Sequence, residues 1–271
     1  MTIPQIQSSC AWVSFVAIVL GAMASNSSAF WQHPTPGDLT SPVLAIELMR
    51  SPEDVSGIVG PPGDPLRAAM SRLTWIDMFF IPAYAVLFSL VGLLLIRQSQ
   101  PRIGTIVIVL GIVGAVFDVL EDVDIFRALR SAGITPRHWS IPKWSILFVA
   151  MGMLVPVYRS YGQPYLHRFI GYSATILSLL AAMLGLGGVL LKTDPLIESG
   201  GRIMGLSLVA GFFFFATHNW LSSGLVPALD RLATLPFLRV LAKWPNDEVP
   251  DEDEQEPAAL ATGGTPIVEE H

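Results

Sequence analysis

IGTIVIVLGIVGAVFDVLEDVD, residues 103–124, is the stretch that decides how this chain folds. From Ile103 to Phe117 no side chain is ionisable, and then Asp118, Glu121, Asp122 and Asp124 follow in quick succession. At helical rise the apolar part is about 22 Å long, shorter than the ~30 Å hydrocarbon layer of a bilayer. A helix that crosses here must carry Asp118, Glu121 and Asp122 inside the hydrocarbon boundary or into a protein-lined cavity. Spacings of three and four residues put these three on one helix face, whereas Asp124 points elsewhere. Insertion of an ionised Asp at mid-membrane costs roughly 2.5–3.5 kcal/mol, and less near a helix end. The acids therefore need partners. Arg127 is three residues from Asp124 and suits that residue alone, so the others depend on different helices, on water or on a ligand.

Working outward, the rest of the chain has the same character. Apolar residues make up 52% of it and charged residues 14%, with mean hydropathy +0.55, well below the roughly 25% charge of a soluble domain. Four more apolar runs are long enough to span, Trp75 to Ile96, Ile141 to Tyr158, Phe169 to Leu191 and Ile203 to Leu221, and a shorter one, Cys10 to Ala24, is read as a further helix. The expected fold is all-α, an integral membrane bundle of about six transmembrane helices in a cell membrane. Residues 1–24 form the first helix; a signal peptide with Ala22 and Ala24 at its cleavage site is the alternative, disfavoured because no Lys or Arg precedes the run. Residues 75–222 form a five-helix membrane body, 223–244 a juxtamembrane segment and 245–271 a tail.

That tail explains the net charge of −6: nine of the 22 acids and none of the 16 Lys and Arg follow Trp244. A Pro-containing acidic segment without aromatic residues buries too little surface to order itself, so disorder is expected, with a protein partner for the tail left open. Basic residues divide evenly between the two sides of the bundle and leave orientation weakly determined. A signal-anchor reading of the first helix favours a cytoplasmic C-terminus.

The connection 25–74 is expected to be a small helical cap outside the membrane. Ser41-Pro42, Ser51-Pro52 and Asp64-Pro65 each place a capping side chain before a proline at the first helical position, where its missing N–H costs nothing. Ser51 with Asp54 adds a capping-box pattern, and the helix from Pro65 has no breaker before the second span. In the first cap helix, Val43, Ile46 and Leu44 or Leu48 face an apolar surface and Glu47 and Arg50 lie on another part of the turn. Pro82 and Pro156 are expected to bend their spans. Gly104, Gly111, Gly114, Gly185, Gly188 and Gly205 let helices approach closely, and Gly200-Gly201 reads as a turn.

Alternating spans bring Asp77 and Tyr84 of the second, Lys143 and Trp144 of the fourth, and Glu47 of the cap to the side holding the acids, with Lys192, Asp194, Glu198 and Arg202 nearby. The prediction is an acidic pocket under a helical lid, with Lys143 or Arg202 as counter-charge. A plainer arrangement has the acids close the span and fix helix register by accepting from Trp144, Tyr84 or Lys143, with Lys143 an ordinary interfacial anchor. His167, His218 and Asn219 face the opposite interface and read as anchors there.

The strings Asp77-Met-Phe-Phe-Ile-Pro-Ala-Tyr84, Phe117-Asp-Val-Leu-Glu-Asp122 and Ala45-Ile-Glu-Leu-Met-Arg50 resemble a family of uncharacterised bacterial multi-pass membrane proteins. Its members carry an Asp-x-x-Phe…Tyr span followed by an Asp-x-x-Glu-Asn span; here Asp122 stands in place of the Asn. The resemblance implies a shared architecture and implicates Asp77, Tyr84, Asp118 and Glu121, without bringing an activity.

Three functions are compatible with these residues. The first is a membrane-embedded enzyme on a lipid-like substrate, in which Asp118 and Glu121 divide acid and base work. There Asp77, Asp122, Tyr84, Lys143 and Glu47 bind or position the ligand, and Asp77, Asp118, Glu121 and Asp122 could hold a divalent cation. The second is a small proton- or cation-coupled transporter. The third is a non-catalytic membrane factor. One cysteine, Cys10, and five scattered histidines offer no disulfide and no His-x-x-x-His site. Neither a phosphate-binding glycine loop nor a basic patch is present, so nucleotides and nucleic acids are not expected partners; the bilayer is.

Overall fold

The computed structural model describes residues 1–25, 28–30, 38–130, 133–158 and 165–219. The acidic tail, the juxtamembrane segment and the side chains of His218 and Asn219 lie outside them. Among the described residues six helices are long and apolar enough to cross a membrane. They are α1 (Ile3–Ser25), α4 (Pro65–Arg97), α5 (Pro101–Arg130), α6 (Arg137–Met153), α7 (Tyr165–Leu191) and α8 (Asp194–Asn219), with two short helices, α2 (Pro42–Glu47) and α3 (Asp54–Val59), between the first and second. The chain is thus an all-helical multi-pass bundle with a helical cap.

Each long helix packs on the next around a closed ring, in the order α1, α4, α5, α6, α7, α8 and back to α1. Two hairpins, α4–α5 and α7–α8, are joined by very short turns. Ser99 and Lys192 take left-handed backbone there (φ 64° and 55°), and each turn closes with an N–H reaching five residues back, Gln100 to Leu95 and Thr193 to Gly188. Such turns are the Schellman type of helix end, which returns the chain directly into an antiparallel partner. Close approach within the first hairpin rests on Gly92 and Gly104: a Cβ on either would stand about 2.5 Å or less from the other's carbonyl oxygen.

Helix starts follow the capping residues. Ser41 accepts from the Leu44 N–H and Asp64 from the Leu66 N–H, and α4 runs without a break from Pro65 into its span. The second cap helix begins at Asp54, two residues later than its Ser-Pro signal. Its capping box survives in one direction, with the Asp54 carboxylate accepting from the backbone of Arg50 and Ser51. Pro156, with no N–H to donate, ends regular α-helix: α6 stops at Met153 and finishes as a 3₁₀ turn over Val155–Tyr158.

Three expectations need correcting. Gly200 and Gly201 are not a turn but the first third of α8, which starts at Asp194; a Cβ on Gly200 would lie 2.7 Å from the Gly185 backbone, so these glycines serve helix contact. Gly205 by contrast meets nothing within 4 Å. His167 is not an interfacial anchor: it is buried between α7 and α8, bonded to the Thr217 hydroxyl at 3.0 Å and stacked on Phe214.

The ring interior is divided by depth. Toward the ends of α4 and α8 that lie away from the cap, Leu87, Phe88, Val91, Leu154, Tyr158 and Phe215 fill it. Toward the cap it opens into the cavity described next.

Candidate functional site

Sequence order alone places the N-terminal ends of α4, α6 and α8 and the C-terminal ends of α1, α5 and α7 on one side of the bundle. The predicted polar side chains gather there. Asp118, Glu121 and Asp122 all turn inward from α5 and are at most 3% exposed. Lys143 stands among them. Its Nζ lies 3.0 Å from Asp118 Oδ1 and 3.2 Å from Glu47 Oε2, and it is in direct contact with Glu121 Oε2. Lys143 is itself buried and is therefore not an interfacial anchor. Its ammonium is the internal counter-ion of three carboxyl groups from two elements.

Neutral donors complete the cluster. The Tyr84 hydroxyl donates to Asp118 Oδ2 at 2.9 Å. The Ser140 hydroxyl reaches Glu121 Oε1 at 2.6 Å and the Glu47 carbonyl at 2.7 Å. Trp144 Nε1 donates to Glu47 Oε2 at 2.9 Å. Glu47 is thereby corrected as well: it does not lie on a separate face of the cap helix but is buried between cap and bundle, with burial pushing its carboxyl up against the pull of Lys143.

Three oxygens are less well served. Asp118 Oδ1 and Glu121 Oε2 are enclosed and within ion-pair reach of Lys143, yet neither receives a well-directed hydrogen bond; Asp122 Oδ2 is enclosed with no partner. Asp77 is half-buried, and its electrostatic neighbours are Asp118, Lys143 and Glu47. Counted together, Glu47, Asp77, Asp118, Glu121 and Asp122 set five carboxyl groups against one ammonium. Buried charge on that scale has to be compensated by protons or by an incoming cation.

The cap is fastened by residues that spacing did not single out. Glu198 at the start of α8 accepts from the backbone N–H groups of Thr40 and Ser41 and from the Thr40 hydroxyl, at 2.7–3.2 Å. Arg202 therefore pairs with Glu198 rather than with the α5 acids. Asp194 receives both Arg50 and Arg137, and Arg137 also donates to the Leu48 carbonyl. Asp124 stays outside the cluster, as expected, paired with Arg127 at 2.9 Å; Trp139 Nε1 also donates to it. Beneath the cap, Ile46, Met49, Val55, Val59 and Met70 form a separate apolar core against α4 and α5.

Beside the cluster lies a cavity of about 1060 Å³. Glu47, Asp77, Asp118, Lys143 and Trp144 line its polar end; its wall also includes Ala17, Ile18 and Gly21 of α1, Phe80 of α4, Met204, Leu208 and Val209 of α8, and Thr40, Ser41 and Leu44 on the cap side. Ala22 of α1 and Gly205 and Leu206 of α8 belong to the wall and are exposed. Glu121, Asp122 and Tyr84 are not part of its wall; they stand behind Asp118 and Lys143. Glu47, Tyr84, Asp118, Glu121 and Lys143 thus form one bonded group, with Asp77 and Asp122 beside it, and Glu47, Asp77, Asp118 and Lys143 line the cavity. Among the described residues no three His, Cys, Asp or Glu side chains form a ligand set for a metal ion; Lys143 Nζ takes the central position between the acids.

Comparison with known protein families, with curated proteins and with solved structures finds no match for this chain.

Proposed function

We propose that this multi-pass membrane protein receives a lipid-like amphiphile in the cavity and acts on or holds its polar end with Asp77 and Asp118. One observation carries the reading: a cavity of about 1060 Å³, well matched to a drug-sized or larger ligand, joins an apolar wall with exposed residues of α1 and α8 to a carboxyl-lined end. A soluble metabolite has no use for the apolar wall, and a bare ion has no use for the volume. In this reading Asp118 is the acid–base residue in reach of a ligand. Glu121, shut away behind it, positions Lys143. Asp122 supports Asp77 from α5, and Tyr84 fixes the orientation of Asp118. The cap side faces away from the cytoplasm and the C-terminus lies within it.

The transporter reading draws less support, because among the described residues Leu87, Phe88, Leu154 and Phe215 pack the interior beyond the cavity.

Gly205 supplies the test. Its Cβ position meets nothing within 4 Å, so Gly205→Phe places a ring at the exposed part of the cavity wall without forcing the backbone. After incubation with total membrane lipid, wild type should carry an amphiphile in native mass spectrometry. Gly205→Phe, melting at an unchanged temperature, should lose at least nine-tenths of it. Equal loading of the two proteins, or loading of neither, would overturn the reading.

A further inference from the structure

Resting on that reading of the cavity, we infer that the ligand's polar end is positively charged, an ammonium group borne on an apolar chain. The argument is one of complementarity inside the cavity wall. Among the described residues five ionisable groups line it: Glu47, Asp77, Asp118, Lys143 and Arg202. Arg202 is engaged by Glu198 at 2.7 Å and stands at the rim. Lys143 is already divided among Glu47, Asp118 and the enclosed Glu121. That leaves Asp77 facing the cavity with no hydrogen bond or ion pair among the described residues, and Asp122 behind it with a buried oxygen that has no partner.

Asp118 lies on the same wall. It is 3% exposed and lines the cavity, and its Oδ1 has only a share of Lys143, 3.0 Å away, which also serves Glu47 and Glu121. An ammonium seated between Asp77 and Asp118 would supply N–H donors to both and bring the missing positive charge, whereas a hydroxyl would supply a donor alone. A carboxylate or sulfate head would add like charge to a site that already has an excess of it. The apolar chain would then lie along Ile18, Met204 and Leu208 toward the exposed Ala22, Gly205 and Leu206.

Trp144 lines the polar end of the cavity and gives a local readout. The full-length protein in nanodiscs would be titrated with three twelve-carbon amphiphiles brominated near the head, an amine, an alcohol and a carboxylic acid, at fixed neutral pH. Quenching lost in Trp144→Phe would be counted as cavity binding. The amine should half-saturate that signal at a mole fraction at least tenfold below the alcohol, with the acid weakest. Asp77→Asn should abolish the amine's advantage and Asp77→Glu should restore it; Asp77 has no hydrogen bond or ion pair to lose among the described residues, so both should fold. Equal binding of amine and alcohol, or an advantage that Asp77→Asn leaves intact, would overturn the charge assignment while the amphiphile cavity stands. Absence of Trp144-dependent quenching by all three would remove the cavity reading and this inference with it.

Discussion

Lys143 is one ammonium shared among Glu47, Asp118 and Glu121, so its removal leaves buried charge without compensation. Breaking a buried ion pair from one side typically costs 3–5 kcal/mol. Lys143→Met should therefore destabilise the protein by about that much, read as a lowered melting temperature in detergent. Adding Glu121→Gln to Lys143→Met deletes one stranded carboxylate and should recover about 1 kcal/mol or more, a coupling that independent sites would not show. Lys143→Met melting with wild type would contradict the shared-ammonium account. The acids of α5 were legible as one face because three- and four-residue spacing is a local property. Lys143 was legible as one of two candidate counter-charges but its burial was not, since a Lys beside a Trp at a span entrance has the same local pattern whether it reaches for water or is roofed over. The roof comes from Glu47, 97 positions from the Trp144 that it accepts from, and no spacing rule reaches that far.

At the scale of elements, α2 is the piece most open to regulation, because its attachment passes through a titratable side chain. Burial raises the Glu47 carboxyl above its ordinary value near 4.5. When the cap lifts, that carboxyl returns to ordinary behaviour, so the closed form holds the proton more tightly than the open one. The attachment is then fully favoured below about pH 4.5 and is weakened as pH rises through the raised value. Hydrogen exchange of the α2 amides, corrected for intrinsic rates, should show easier opening at pH 8 than at pH 5, and Glu47→Gln should flatten the difference. An identical pH response in Glu47→Gln would place the titration elsewhere. The starts of α2 and α4 were legible because Ser41 and Asp64 act on N–H groups two or three residues away. The start of α8 was not: Gly200-Gly201 carries a turn signal, and only the facing backbone of Gly185 shows why a helix wants glycine there.

For the whole molecule, the side on which each helix end lies follows from alternation of six spans, which hydropathy alone supplies, whereas the ring order depends on which helices pack together. Nor could hydropathy supply the division of the interior into a packed half and an open half, since that depends on which apolar side chains from six helices meet. Orientation is open to a direct check. A fluorescent protein fused after residue 271 should fluoresce, and an export-dependent phosphatase at the same point should stay inactive; the reverse pattern would put the cavity on the cytoplasmic side.

The α5 acids also set terms for biosynthesis. Asp118, Glu121 and Asp122 reach the translocon ahead of Lys143, and until α6 follows each faces an insertion cost of up to roughly 3 kcal/mol with no cation from that helix to oppose it. A lone α5 is thus a poor passenger for the translocon, however apolar its first half. Its cost falls once α6 delivers the ammonium, so the two segments are best released into lipid together, as a hairpin that carries part of its own compensation on the way in.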